Sequence, residues 1–473
     1  MEPNWDFIFH RRHPHYFRNL ECWQRSAAAY AGGEAYLRQA LIRHVSEVEL
    51  EFAERLRRAY YFNYPRKLAR LITQFVLSVE PTREGADPAL VEDFSRNGLR
   101  AGEVMRQFST LLNVFGGAAV EIEMPFFEGE VDCERRNREK LRPAAKVHSP
   151  LEIPDWGFGA DGELDWIIFE EHVRVAPGPW KPAVELLRRK LYTRNECFVL
   201  EREAGTGIVR QRLHAVHRLG AVPAFYLTEP DGYGLNSGHY FEDVVRISDA
   251  ILNNESESQM NIVKQMFGLL VISEGFARGA RSAGGSRSGG ATEKFSHVLA
   301  RSAAIWESPE ERGISRYISP SGADTSRIRE ENDALKRELF DTVGMALVTP
   351  CREAQTAESK AWDYHQVKQF LACRADMLEQ AELRCWKLMA KFDPSIRVPS
   401  VLYNREFAVA DLKSSIESLL ELREFSGGTA YRREVEKSAL FLLEKIRKID
   451  PLRRRAILEE IEREEKEKEA DHA

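Results

Sequence analysis

At 473 residues the chain has room for about three domain-sized units, and its 43% hydrophobic and 30% charged residues describe a protein able to bury a core. A formal net charge of −6 argues against a protein that holds nucleic acid tightly by neutralising phosphates. No run of about 18 apolar residues occurs, and "MEPNWDFIFHRRHPHYF" lacks the apolar stretch of a signal peptide, so neither a membrane span nor a secretory leader is expected.

The first part reads as helical. "VELEFAERLRRAYYFNYPRKLARLITQFVLSV" carries apolar residues at helical spacing, with Asn63 and Pro65 marking a break and restart. "ADPALVEDFSRNGLRAGEVMRQFSTLLNVFG" repeats the pattern, with Asp87 as cap and Pro88 in the first turn. Gly116 and Gly117 then end the helix, and "AAVEIEMP" alternates like a strand. From about Ala144 to Thr228 the period becomes two: "LDWIIFEEHVRV", "ECFVLERE", "GIVRQRLHAVHRL" and "VPAFYLTE" are separated by Asp-Gly and Gly-Thr-Gly turns.

Ser237 and Gly238 precede a further helix, "HYFEDVVRISDAILNNESESQMNIVKQM", whose second half is polar. A small α/β insert follows, with "FGLLVISEGF" as a strand, "ARGARSAGGSRSGGAT" as a loop, "EKFSHVLARSAAIW" as a helix and "ISRYISP" as a strand. Ser321 to Asp324 resemble a capping box for the next helix, in which Ile328, Leu335, Leu339 and Val343 form one narrow stripe. Arg329/Asp333 and Asp333/Arg337 stand at i, i+4, where opposite charges attract by a few tenths of a kcal/mol. Such a helix is expected to be exposed on most sides or to pack against copies of itself.

Between two strong helical patterns lies "LVTPCREAQTAESKAW", Leu347 to Trp362. It is longer than a helix–helix turn needs, polar, and not glycine-rich. Pro350 disfavours helical geometry at Thr349, and Thr356 is placed to cap the next helix, with Glu358 in its first turn. That helix buries Val367, Leu371, Leu378, Ala381, Cys385, Leu388 and Phe392. Pro394 and Pro399 end it, "SVLYNREFAV" returns as a strand, and the remainder is helical up to a tail too polar to pack alone.

Signatures of catalysis are missing. There is no phosphate-binding Gly-x-x-x-x-Gly-Lys-Ser/Thr, no Gly-x-Ser-x-Gly and no His-Glu-x-x-His. His10, His13 and His15 lack acidic or cysteine partners at ligand spacing and read as a surface segment rather than a metal site. Asp161, Gly162, Glu163 and Asp165 read as a hairpin turn rather than a cation site, and "GGSRSGG" as a loop rather than a phosphate cradle. Cys22, Cys133, Cys197, Cys351, Cys373 and Cys385 form no Cys-x-x-Cys pair, which indicates a reducing compartment without disulfide framework or zinc.

In order, these elements resemble a portal protein of tailed bacteriophages, over most of the chain. "RLRRAYYFNYPRKLARLITQFVLSV" is similar to the family's N-terminal helices and "LNVFGGAAVEIEMP" to the helix-to-strand passage after them. "EIPDWGFGADGELDWIIFEE" and "HRLGAVPAFYL" resemble wing strands. "YISPSGADTSRIREENDALKRELFDTVGMAL" resembles a stem helix, "AESKAWDYHQVKQFLACRADMLEQAELRCWKLM" the long helix after the tunnel loop, and "FAVADLKSSIESLLELREFSGGTAYRREVEK" the crown.

The resemblance implies an α+β chain with a wing at 1–238, stem helices at 239–267 and 321–346, and a clip at 268–320. A tunnel loop at 347–358, a long helix returning to the wing at 359–410, and a helical crown and tail at 411–473 complete it. It implies no enzyme and no cofactor, but a ring of about twelve subunits closed by head-to-tail contacts. In the virion such a ring would pass double-stranded DNA and meet the terminase packaging motor, a head–tail adaptor and the major capsid protein, after assembly in the host cytoplasm. Arg352, Glu353 and Gln355 would face the DNA channel, Arg329, Asp333 and Arg337 the subunit boundary, and Arg278, Arg281 and Arg287 a docking partner. Two other classes stay open: another structural ring or adaptor protein of the head–tail junction, and an enzyme with a site near Trp156, Asp165 and Trp166.

Overall fold

The computed structural model describes residues 4–125, 141–176, 178–180, 182–203, 207–229, 240–266, 269–273, 304–307, 316–318, 323–344, 357–405, 407, 431, 435–440 and 453–461. Helices α1 (Trp5–His10), α2 (Pro14–Ala31), α3 (Glu34–Ala40), α4 (Glu49–Arg58), α5 (Tyr64–Val76), α6 (Pro88–Glu92) and α7 (Ala101–Phe115) open the chain, with a short strand β1 (Thr82–Glu84) between α5 and α6. The breaks follow local chemistry. Asn63 Oδ1 accepts from the Arg66 amide at 2.8 Å to start α5, with Pro65 in the first turn. Asp87 caps α6 through the Ala89 amide at 2.9 Å. Gly116 closes α7 in the left-handed region, at φ 72°, where a side chain would be strained.

Two antiparallel sheets come next. β3 (Ala144–His148), β2 (Gly117–Glu123) and β9 (Ala224–Thr228) form one, in the order β3-β2-β9. The other is a meander of β4 (Asp155–Phe158), β5 (Leu164–Val175), β6 (Val184–Thr193), β7 (Glu196–Glu203) and β8 (Val209–Val216). β6, the middle strand of the meander, carries "VELLRRKLYT", whose charges hide the alternation that marks its neighbours. β2 is buried on both faces: Ala118, Val120 and Ile122 join a core with α5 and α7, while Ala119 joins a second core with Ile167 and Phe169 of β5. Its apparent polar face, Glu121 and Glu123, therefore looks at the five-stranded sheet and not at solvent.

Two long helices, α8 (Tyr240–Met266) and α9 (Ala323–Thr342), lie side by side. Between them β10 (Leu269–Ser273), β11 (Ala304–Glu307) and β12 (Arg316–Ile318) form a small sheet in the order β11-β10-β12, with β11 parallel and β12 antiparallel to β10. Residues 304–307, read from sequence as the end of a helix, are thus a strand. A parallel partner needs a crossover, and the 30 residues from 274 to 303 supply the length for one.

Helix α10 (Ala357–Phe392) begins at the residue after Thr356, with Glu358 in its first turn as the spacing expects, and crosses the first core. β13 (Ser400–Leu402) then pairs antiparallel with β1, so chain segments some 300 residues apart share one ribbon. Residues 435–440 and 453–461 are helical, as the reading of the C-terminal part expects. Among the described residues no helix is long and apolar enough to cross a membrane.

Candidate functional site

The pair of long helices α8 and α9 is the element of most functional interest. α8 carries Phe241, Val244, Val245, Ile251 and Leu252 into the cores, and α9 contributes Leu339 and Phe340, with Val343 just beyond its end. Ile328 and Leu335 of the expected stripe are half-buried. Between them sits Asn332, only 1% exposed, on the same helical face. Its amide donates to Glu255 at 2.9 Å and its carbonyl accepts from Asn254 at 3.0 Å. The polar second half of α8 is accordingly a buried seam and not a solvated face: Ser256 and Ser258 are also buried. A paired, satisfied amide seam fixes register where a purely apolar one could slide.

The expected charge ladder on α9 forms differently. Asp333 pairs with Lys336 at 3.0 Å, three residues on, and Arg337 donates through Nε to the Asp333 backbone carbonyl at 3.2 Å. Among the described residues, Arg329 and Arg337 have no carboxylate partner, and both are exposed. Burial lowers the Lys336 pKa, but its hydrogen bond to Asp333, with the fields of Tyr64, Asp333 and Glu255, raises it overall. Arg278, Arg281 and Arg287, and likewise Arg352, Glu353 and Gln355, lie outside the described residues, as does Thr356.

Other sequence candidates have structural partners. His13 caps α2, its Nδ1 accepting from the His15 amide at 3.2 Å, and stacks on Trp156 at 4.1 Å. His10 stands apart from it, beside Asp6 at 3.5 Å. Asp161 and Asp165 both pair with Arg194 at 2.7 Å across the hairpin turn, and Gly162 has the positive φ of 79° that such a turn uses. Arg194 holds the Asp161 carboxyl down to about 2. Trp166 lies under the Arg11 guanidinium at 4.6 Å. Trp156, Asp165 and Trp166 are thus engaged in packing and pairing.

Sequence reading missed the buried ionic lattice between the two sheets. Glu121 and His148 are fully buried, with His148 Nε2 2.8 Å from Glu121 Oε2. Lys190 of β6 reaches Glu121 at 3.3 Å, Glu171 at 3.0 Å and also Glu123, while Lys146 reaches Glu171 at 2.5 Å. Burial alone would raise the Glu121 pKa, but the His148 contact and the Lys190 charge hold it down to about 2. The same carboxylates raise the Lys190 pKa despite burial.

Glu121, His148 and Glu171 bring ligand atoms within 4.8 Å of one another, the spacing of a cation site. Two ammonium groups already stand among those carboxylates, so the arrangement serves to tie β2 and β3 to β5 and β6. The one signal in the sequence is the acidic alternation "VEIE" and the single Lys190 of "RRK" that reaches it, legible only once the two sheets are known to meet.

No protein-family model matches the sequence, and no curated protein does. Solved structures do. The neck of a native GTA particle computed with C12 symmetry is similar at 12% identity and a TM-score of 0.44, covering 78% of this chain and 89% of that one. The virion of a native gene transfer agent particle is similar at 12% identity and a TM-score of 0.45, covering 87% of this chain and 98% of that one. With both scores under 0.5, the functional reading rests on the chain's own elements.

Proposed function

We propose that this chain is the portal subunit of a tailed-phage-like particle, a ring at one capsid vertex through which the genome enters and leaves. The observation that carries the reading is the stem: two long helices side by side, joined through a small three-stranded sheet and followed by a third long helix. At 27 residues α8 spans about 40 Å, twice the width of a DNA duplex, which suits a helix that forms a channel wall. The polar seam at Asn332 keeps the hairpin in register while Arg329 and Arg337 stay on the outside for a ring neighbour.

In this reading about twelve copies close head to tail. The insert at 268–320 meets the packaging motor and later the tail adaptor, and the wing contacts the capsid shell. Arg352, Glu353 and Gln355 line the channel beside double-stranded DNA. The acidic total fits a conduit, since each neutralised phosphate adds grip and slows sliding. The chain performs no catalysis and holds no cofactor; the particle is its location.

Electron microscopy of the purified protein tests the reading: rings with an axial hole are expected, and a discrete monomer at micromolar concentration refutes it. Cys351 tests the channel assignment within it. In a ring whose other cysteines are replaced, Cys351 should react with a small thiol reagent when the particle is empty and be protected when DNA fills it. Equal reactivity in both states places 347–358 away from the channel.

A further inference from the structure

A groove of about 560 Å³ opens between the 158–164 hairpin, the 220–226 segment and the last third of α10. Its helical wall is basic. Arg384, Lys387 and Lys391 stand at i, i+3 and i+7, so they share one face of α10, and all three are exposed. Arg384 lies 5.7 Å from the Phe225 ring, and among the described residues none of the three has a carboxylate partner. On the facing wall, Asp161 is neutralised by Arg194, which leaves Glu163 as the single uncompensated carboxylate there. Phe158, 54% exposed, and Leu388 give the groove an apolar lining between the charges. Three cations without carboxylate partners on one helix face, in a concave site with apolar surface, suit an anionic occupant.

The sequence contains one. From Glu459 to Asp471 it reads "EEIEREEKEKEAD", with eight carboxylates against Arg463, Lys466 and Lys468. The last described residues, 453–461, are helical, and the sequence beyond them carries Glu462, Glu465 and Glu469 at i, i+3 and i+7. That spacing is the one on which Arg384, Lys387 and Lys391 are set. We propose that this acidic segment docks in cis along the basic wall of the groove, carboxylate to cation at three successive contacts. The assignment is independent of the portal reading, because it rests on the two charge patterns alone. Nucleic acid is the poorer occupant, because the i, i+3, i+7 match has no counterpart in a phosphate chain.

The test uses the chain lacking residues 462–473 and a fluorescent peptide of residues 456–473. Saturable binding is expected at low salt and should weaken as salt rises, since the contacts are exposed. Lys387→Glu with Lys391→Glu should weaken it at least about tenfold, as should Gln at Glu462, Glu465 and Glu469 of the peptide. Circular dichroism of the charge-reversed chain, whose altered side chains are exposed, checks that it folds.

The full-length chain should bind the peptide at least about tenfold more weakly than the shortened one, because its groove is already filled. Equal binding by the two chains, or indifference to the lysine reversals, overturns the proposal. So does a short DNA duplex that binds the shortened chain more tightly than the peptide and with the same lysine dependence. Carbodiimide crosslinking of mixed light and heavy chains assigns the source: crosslinks within one chain support docking in cis, and crosslinks between chains refute it.

Discussion

Replacing Arg83 should open the β1–β13 ribbon. Arg83, on β1, sends two guanidinium hydrogen bonds at 2.6 and 3.1 Å to Glu382 of α10, whose side chain is fully buried. Glu382 also accepts from Trp386 Nε1 at 3.2 Å and from the Tyr403 hydroxyl at 2.6 Å. Arg83→Met would leave this carboxylate in the core with two neutral donors and no cation, at a cost of about 3–5 kcal/mol. Adding Glu382→Gln removes the charge, keeps an oxygen to accept from Trp386 and offers an NH2 to the Tyr403 hydroxyl oxygen, so the double variant should lose only about 1 kcal/mol. Urea unfolding compares the three proteins, and amide exchange at 82–84 and 400–402 localises the loss. A single variant within about 0.5 kcal/mol of the parent, or a double variant no better than the single, refutes the account.

The Glu121 carboxyl, held at about 2 against an ordinary 4.5, contributes stability that is present above the ordinary value and lost as pH falls from about 4.5 toward 2. Acid unfolding followed by circular dichroism should therefore be shallower in Glu121→Gln than in the parent. Gly117→Ala places a Cβ against the Tyr226 hydroxyl and ring, and should cost about 1–3 kcal/mol by thermal or urea unfolding. Burial pushes the Cys197 thiol up to about 12 and raises that of Cys385 well above its usual range. At mildly alkaline pH a thiol reagent mapped by mass spectrometry should modify the exposed Cys373 in the native chain, and Cys197 and Cys385 only in urea. Under the proposed ring assembly, Asp333→Arg should weaken the ring, measured by light scattering, and more so at low salt.

Periodicity and punctuation settled much of this chain in advance, because helix caps, left-handed glycines and two-residue alternation act over a few neighbouring residues. Asn63, Asp87 and Gly116 mark their helix ends, and the long helices around 240–266, 323–342 and 357–392 are written in their spacing. What the sequence could not decide is which polar residue is buried. Glu121 and Asn332 stand at positions that read as solvent-facing or neutral, yet a second sheet covers one and a second helix the other. Arg83 and Glu382, far apart in the chain, become one pair only when β1 packs against α10. Strand β11 was misread for the same reason: "AIWE" is too short for its own period to distinguish helix from strand, and its pairing with β10 decides. Burying a charge costs several kcal/mol unless its partner arrives from elsewhere in the fold, and the arrival of that partner is a property of tertiary structure, not of any local stretch.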